Sequence, residues 1–438
     1  MKCLAPQTFS GLLVPAFLLS ILGAGLLSSR DAVAQGLEQV KASYTKYEYQ
    51  FFLQMGPLAN ANACFFKNDV PFWNEVMRHG VYDDFWKVRD VCPHLKNIRP
   101  AVMTVGGWFD AEDLFGTLET YKHVEADSRS AQNTLVMGPW SHGGWSRSDG
   151  QSLGPISFNA KTSDFFRESI ELPFFELYLK GKGTLKHPKA WVFQTGTNQW
   201  RQFMAWPPRE AQPKAIFLRS GGRLAYEPPA EANPEACYDE YVSDPAKPVP
   251  FFNKIAIGMS PEYMVEDQRF AGTRPDVLVY QTKVLEEDLA VAGPIQVELY
   301  VATSGTDADW IVKVIDVYPD DYPDPTSNAS SLRMGGYQQL VRGDVMRGKF
   351  RNSFERPEPF SPGQPTPVRF TLQDVCHTFR SGHRLMVQVQ STWFPLVDRN
   401  PQTFVDTYTA KESDFCRAVQ RVYHSVDHAS RLTVSLLP

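Results

Sequence analysis

Three carboxylates fall within four positions in the stretch GGWFDAED, at Asp110, Glu112 and Asp113. Acids this close raise one another's cost of ionising, so a cation or a catalytic partner is expected beside them. The stretch follows the short apolar run PAVMTV, Pro100 to Val105, which places the acids in a loop just past a buried strand. A second apolar run, NTLVMGPW (Asn133 to Trp140), is followed by His142. One strand–helix–strand unit should bring the two loops to the same rim, because such loops lie at the carboxyl ends of parallel strands. An acid that reaches an imidazole can hold its tautomer and stabilise its protonated form while the ring carries the proton.

The elements that must position these residues are legible around them. LFGTLETYKHVEA, between the two apolar runs, has a helical pattern, and the runs themselves read as buried parallel strands. Upstream, PFWNEVMRHGVYDDFWKV (Pro71 to Val88) reads as one or two amphipathic helices opened by a proline. Downstream, SDFFRESIELPFFELYLKGKG is a helix expected to bend at Pro173. From about Trp191 the character changes. AWVFQ, AIFLRS, DVLVYQT, IQVELYVAT, DWIVKVIDVYP, TPVRFTLQ and RLMVQVQS succeed one another across proline- and glycine-rich turns. That succession predicts an all-β sandwich of jelly-roll type, so the fold class is α/β followed by all-β.

An acid followed by a histidine after successive strands is the order of the last two members of the Ser–Asp–His triad in α/β-hydrolases. The nucleophile is harder to place. The one G-x-S-x-G match is GQSLG, with Ser152 at its centre. The polar SRSD precedes it where a buried strand is required, Pro155 and ISF follow where a helix should open, and it lies after His142 in the chain. Ser43, in KASYTKY, has no flanking glycine for a sharp turn. No nucleophile is assigned. A metal-dependent hydrolase with Asp110, Glu112, Asp113 and His142 as ligands is a competing reading. It would leave ligands facing away from one another on a helix start, so no metal and no cofactor is expected.

The bulk numbers bound the partners. At 438 residues the chain has room for two or three domains. A net charge of −5 gives no basic field for nucleic acid or anionic lipid. Lys2, the apolar run from Gly11 to Leu27 and the small residues Ala32 to Ala34 form a cleavable export signal, which predicts a secreted or periplasmic protein with no membrane contact after cleavage. Cys64, Cys92, Cys237, Cys376 and Cys416 remain after it, scattered and without C-x-x-C spacing, and read as buried small hydrophobes.

GGWFDAED, GPWSHGGW, GTDADW (Gly305 to Trp310) and GHRLMVQVQSTWFP (Gly382 to Pro395) occur in that order. Together they resemble the cocaine esterase and X-Pro dipeptidyl-peptidase (CocE/NonD) hydrolase family, most closely its α-amino acid ester hydrolases. The resemblance implies a truncated α/β-hydrolase domain with a remnant helical cap and a C-terminal jelly roll. It divides the chain into a signal (1–34), an N-terminal strand segment (35–50), the cap remnant (51–98), the C-terminal part of the hydrolase domain (99–188) and the jelly roll (189–438). By position it makes Asp110 the triad acid, His142 the general base, and Glu112 and Asp113 part of a carboxylate cluster that receives a substrate's α-ammonium group. The implied partner is a small α-amino acyl ester or peptide, with self-association left open. The resemblance also implies a loss. The family's G-x-S-Y-x-G elbow and oxyanion tyrosine are absent, as if an internal segment had been removed near Gln50–Phe51. The competing function is therefore a non-catalytic remnant whose jelly roll serves as a binding or structural module.

Overall fold

The computed structural model describes residues 48–183, 188–231, 237–254, 260–325 and 332–438. The export signal and Ser43 lie outside the described residues, as does most of the expected N-terminal strand. The described end of that segment, Glu48 to Gln50, belongs to a helix, α1 (Glu48–Met55), so no strand continues to residue 50. Helix α1, α2 (Pro71–Met77) and α3 (Asp84–Lys87) form the helical segment expected there. Its buried Phe52, Met55, Trp73 and Trp86 pack in one cluster with Phe394 and Tyr408 of the C-terminal half.

The strand–helix–strand unit consists of β1 (Val102–Gly107), α4 (Leu114–Asp127) and β2 (Asn133–Gly138). The strands pair in parallel, Val102 opposite Asn133 through Gly107 opposite Gly138. Helix α4 lays Leu114, Leu118, Tyr121 and Val124 on the sheet, a spacing of three to four residues that follows the helical repeat. After α5 (Gly144–Arg147) comes a small hairpin, β3 (Ser152–Leu153) with β4 (Ile156–Ser157). The expected helix is continuous through α6 (Thr162–Phe166), a π-helical turn over Arg167–Glu171 and α7 (Leu172–Lys180). Pro173 follows directly on that π-helical turn, at the second position of α7.

One boundary is corrected. AWVFQ was expected to open the sandwich. Instead β5 (Ala190–Gln194) pairs in parallel with β2, and β6 (Gln199–Phe203) pairs antiparallel with β5. The first sheet is thus β1–β2–β5–β6. Eleven further strands form the sandwich: β7 (Gln212–Arg219), β8 (Arg223–Ala225), β9 (Tyr238–Ser243), β10 (Val277–Gln281), β11 (Leu289–Thr303), β12 (Asp309–Val317), β13 (Gln338–Arg347), β14 (Thr366–Phe379), β15 (Arg384–Gln390), β16 (Ala418–Tyr423) and β17 (Arg431–Leu436). Helix α8 (Arg269–Gly272) precedes β10. Strand β12 turns Trp310, Val312 and Val314 to the main core and Ile311 and Ile315 to a second cluster, so both its faces are buried. The halves are stitched by backbone. Thr195, just past β5, accepts from the N–H of Thr378 and donates to the carbonyl of Cys376, both on β14.

The cysteines do not share one environment. Cys92 and Cys376 are buried, but Cys64 and Cys416 are exposed, so the reading of all five as buried hydrophobes does not hold.

Candidate active site

The loops after β1 and β2 remain stapled together beyond the strands. Trp108 donates its N–H to the carbonyl of Gly138 at 2.8 Å, and Phe109 donates to that of Trp140 at 3.0 Å. The approach is so close that a side-chain carbon on Gly107 would lie 2.1 Å from the Trp140 oxygen. Only glycine fits there. Gly143, with φ of +69°, then turns the chain directly after His142 into α5.

This geometry brings Asp110 and His142 together at the carboxyl ends of neighbouring strands. His142 Nδ1 lies 3.3 Å from Asp110 Oδ1 and 3.2 Å from Oδ2. Asp110 is buried, while the imidazole side chain is 37% exposed, so the acid is fixed and the base reaches solvent. The backbone holds the acid. Asp110 Oδ1 accepts from the N–H of Glu112 at 2.8 Å and of Asp113 at 3.0 Å, immediately before α4. These two bonds fix the carboxylate against the N-terminal end of the 14-residue helix. A carboxylate oxygen accepts, so His142 presents Nδ1–H to Asp110, which leaves Nε2 as the ring nitrogen not engaged by the acid.

The other two acids separate. Asp113 Oδ2 lies 3.6 Å from His142 Nδ1, so this acid stands beside the histidine as well. Glu112 is exposed, and no other side chain among the described residues bonds its carboxylate. The Asp113 contact was not foreseen; its position three residues after Asp110, at the start of a helix, was the available signal. Trp145 stands edge-on to the His142 ring at 6.5 Å between centroids. The next residue along the acid loop, Ala111, packs against the cluster of Phe251, Phe252, Tyr263 and Trp393, so the sandwich supplies one wall. Ser152 lies exposed on the hairpin strand β3, follows no buried strand, opens no helix, and makes no hydrogen bond to His142. Among the described residues no group of three or more His, Cys, Asp or Glu side chains is arranged to hold a metal ion.

Residues 183–433 match the X-Pro dipeptidyl-peptidase C-terminal non-catalytic domain, and residues 21–144 match the X-Pro dipeptidyl-peptidase (S15 family). The chain is 26% identical over 377 residues to the cocaine esterase of Rhodococcus sp. (strain MB1 Bresler), an alignment covering 83% of this chain and 61% of that protein. Among solved structures it is similar to an aminopeptidase from the marine sediment archaeon Thaumarchaeota archaeon. That match has a TM-score of 0.84 and 37% identity, over 90% of this chain and 64% of the other. An α-amino acid ester hydrolase matches with a TM-score of 0.83 and 38% identity, over 89% of this chain and 64% of that one. The chain therefore spans somewhat less than two thirds of the length of these relatives.

Proposed function

Because the chain belongs to the cocaine esterase and X-Pro dipeptidyl-peptidase hydrolase family, we propose that it carries the acid–base half of a serine hydrolase for esters, amides or peptides of α-amino acids. The observation that carries this reading is the buried Asp110 carboxylate on Nδ1 of a half-open His142. In the reaction, Nε2 of His142 takes the proton of an attacking hydroxyl and returns it to the leaving group. Asp110 keeps Nδ1 protonated throughout and stabilises the imidazolium. Glu112 and Asp113 offer negative charge to a substrate's α-ammonium group, which would favour acyl groups with a free amine. The sandwich, read as the family's jelly roll, closes the acyl side of the site near Ala111. Export to the periplasm or medium is part of the same reading.

The reading also holds that the chain as it stands is inactive. The elbow serine, the oxyanion donors and one further acid would come from the segment lacking near Gln50–Phe51. A triad without its nucleophile retains only positioning and electrostatic effects. Incubation with a fluorophosphonate probe and with an α-amino acid ester tests this directly. The expected result is neither labelling nor hydrolysis. Inserting a relative's elbow segment between Gln50 and Phe51 should create both, and Asp110→Asn or His142→Ala should then lower kcat by roughly 10⁴-fold. Labelling of the native chain that vanishes in Ser152→Ala would overturn the assignment, because GQSLG would then be the elbow. An inserted chain that folds but is indifferent to His142→Ala would leave the non-catalytic module as the better account.

A further inference from the structure

A second carboxylate–histidine pair lies in the sandwich, at the floor of a cleft of about 410 Å³ between the two halves of the molecule. Asp316, on β12, is buried and takes two imidazoles. His377 Nε2 donates to its Oδ2 at 3.2 Å and His383 Nδ1 to its Oδ1 at 2.8 Å. The other nitrogen of His377 is 2.8 Å from the Thr195 hydroxyl, which makes that ring a structural pin between the halves. His383 is different. It is only 6% exposed and lines the cleft, yet its Nε2 bonds no protein group among the described residues. With Nδ1–H committed to Asp316, Nε2 is a hydrogen-bond acceptor facing the cleft.

A matching donor stands in the same cleft. Tyr318 donates its hydroxyl to Gln339 Oε1 at 2.6 Å, which fixes the amide and leaves its NH2 group unbonded to any described protein group. Gln339 is 2% exposed. Above these polar atoms Tyr322 lies against Tyr318, centroids 4.6 Å apart, with 38% of its surface open. The charges at the cleft are already paired. Asp316 is held by its two histidines, and Arg380 Nη1 by Asp288 Oδ2 at 2.6 Å. The volume falls within the range of small-molecule pockets, roughly 300–1,000 Å³.

We infer that this cleft binds a neutral, hydroxyl-bearing ring of the sugar type, seated on Tyr322 with its hydroxyls gripped by His383 Nε2 and the Gln339 amide. A hydroxyl both donates and accepts, so it satisfies the unprotonated nitrogen and the free NH2 together. An anion would meet the lone pair of Nε2, and a cation would find no unpaired carboxylate. A sugar ring has an apolar face for the tyrosine and equatorial hydroxyls for the floor. The site shares no lining residue with Asp110 and His142 and does not depend on the hydrolase reading.

The test is titration of the full chain with the methyl glycosides of glucose, galactose, mannose and N-acetylglucosamine, followed by saturation-transfer NMR and by the ring-nitrogen resonances of His383. At least one glycoside should bind saturably and shift the Nε2 resonance of His383 without moving that of His142. Tyr322→Ala removes a ring that packs on Tyr318 but makes none of the hydrogen bonds of the buried network, and it should weaken that binding about tenfold, with His383→Gln weakening it at least as much. Should no glycoside bind up to its solubility limit, or should binding survive Tyr322→Ala undiminished, the assignment fails. Shifts at His142 instead of His383 would equally overturn it, by placing the sugar in the hydrolase site.

Discussion

Of the aspartate–histidine contacts in this molecule, one in each half is built from the same chemistry to opposite ends. Asp110 and His142 sit on loops, the acid buried and the ring 37% exposed. Asp316 sits inside a strand with both oxygens taken by imidazoles that are themselves buried. In the first pair the histidine can move a proton to something outside the protein. In the second, the acid organises the protein and leaves a single nitrogen facing a cleft. What separates them is the element that carries them. Asp110 lies on a loop past a strand end, whereas Asp316 lies inside the buried strand β12 and draws in His377 from β14 and His383 from the turn before β15.

The largest expected effect breaks the comparison at its stronger side. Asp316→Ala leaves two buried imidazole N–H groups without an acceptor and should cost roughly 3–5 kcal/mol, read from denaturant midpoints. Asp110→Asn should cost only about 1 kcal/mol, because His142 can turn to water. Equal losses would erase the distinction drawn here. Acid should act on the same side. Burial pushes the Asp316 carboxyl up, but the bonds from His377 and His383 outweigh it and hold the group below its ordinary value of 3.8. A depressed folded value means that this stabilisation is present above pH 3.8 and is lost as pH falls through the lower folded value.

Lys313 offers a second measurement on the same strand. Its amine is fully buried, bonds only to Gln268 Oε1 at 3.0 Å among the described residues, and is pushed down by burial to about 7 from 10.5. The unfolded chain therefore holds this proton between pH 7 and 10.5 while the folded chain has released it. Stability should rise with pH across that window, with a slope approaching about 1.4 kcal/mol per unit from this group. Lys313→Met should remove that rise and be more stable than the parent at pH 7.

A finer contrast concerns the sheets themselves. Val102 to Val105 of β1 are half-buried and β1 pairs with β2 alone among the described strands, whereas β12 is flanked on both sides. Amide exchange in β1 should proceed through openings roughly 2 kcal/mol easier than those of β12. Equal protection would mean that the first sheet has support beyond its described strands. Smallest of all, Glu112→Gln should leave stability within about 0.5 kcal/mol, since its side chain is exposed.

The loops carrying Asp110 and His142 were legible because apolar runs ending at glycine and followed by polar residues mark strand ends, and one helical pattern joined them. The assignment of β5 and β6 was not. AWVFQ alternates as the sandwich strands do, and alternation states that a strand is half-buried without stating which sheet buries it. DWIVKVIDV likewise read as one more strand, and nothing in its pattern says that Asp316 meets two histidines more than sixty residues away. Those partners are set by register between β12, β14 and β15, which local sequence does not encode. The helical turn at Glu48 was missed for a related reason, since YTKYEYQ alternates locally while Tyr49 is held by a distant partner, its hydroxyl donating to the carbonyl of Pro248.

The stitch at Thr195 has a consequence for anyone who would divide this protein. A cut at the start of the matched C-terminal domain, near residue 183, would look like a clean seam in the sequence. It would carry β5 and β6 away with the sandwich, strip β2 of its second neighbour, and leave Ala190, Val192 and Phe193 facing water instead of Leu135 and Met137. The chain's separable pieces are thus not its sequence segments. A fragment that keeps both halves whole would have to end after Phe203, and even there the backbone bonds of Thr195 to β14 would have to be given up.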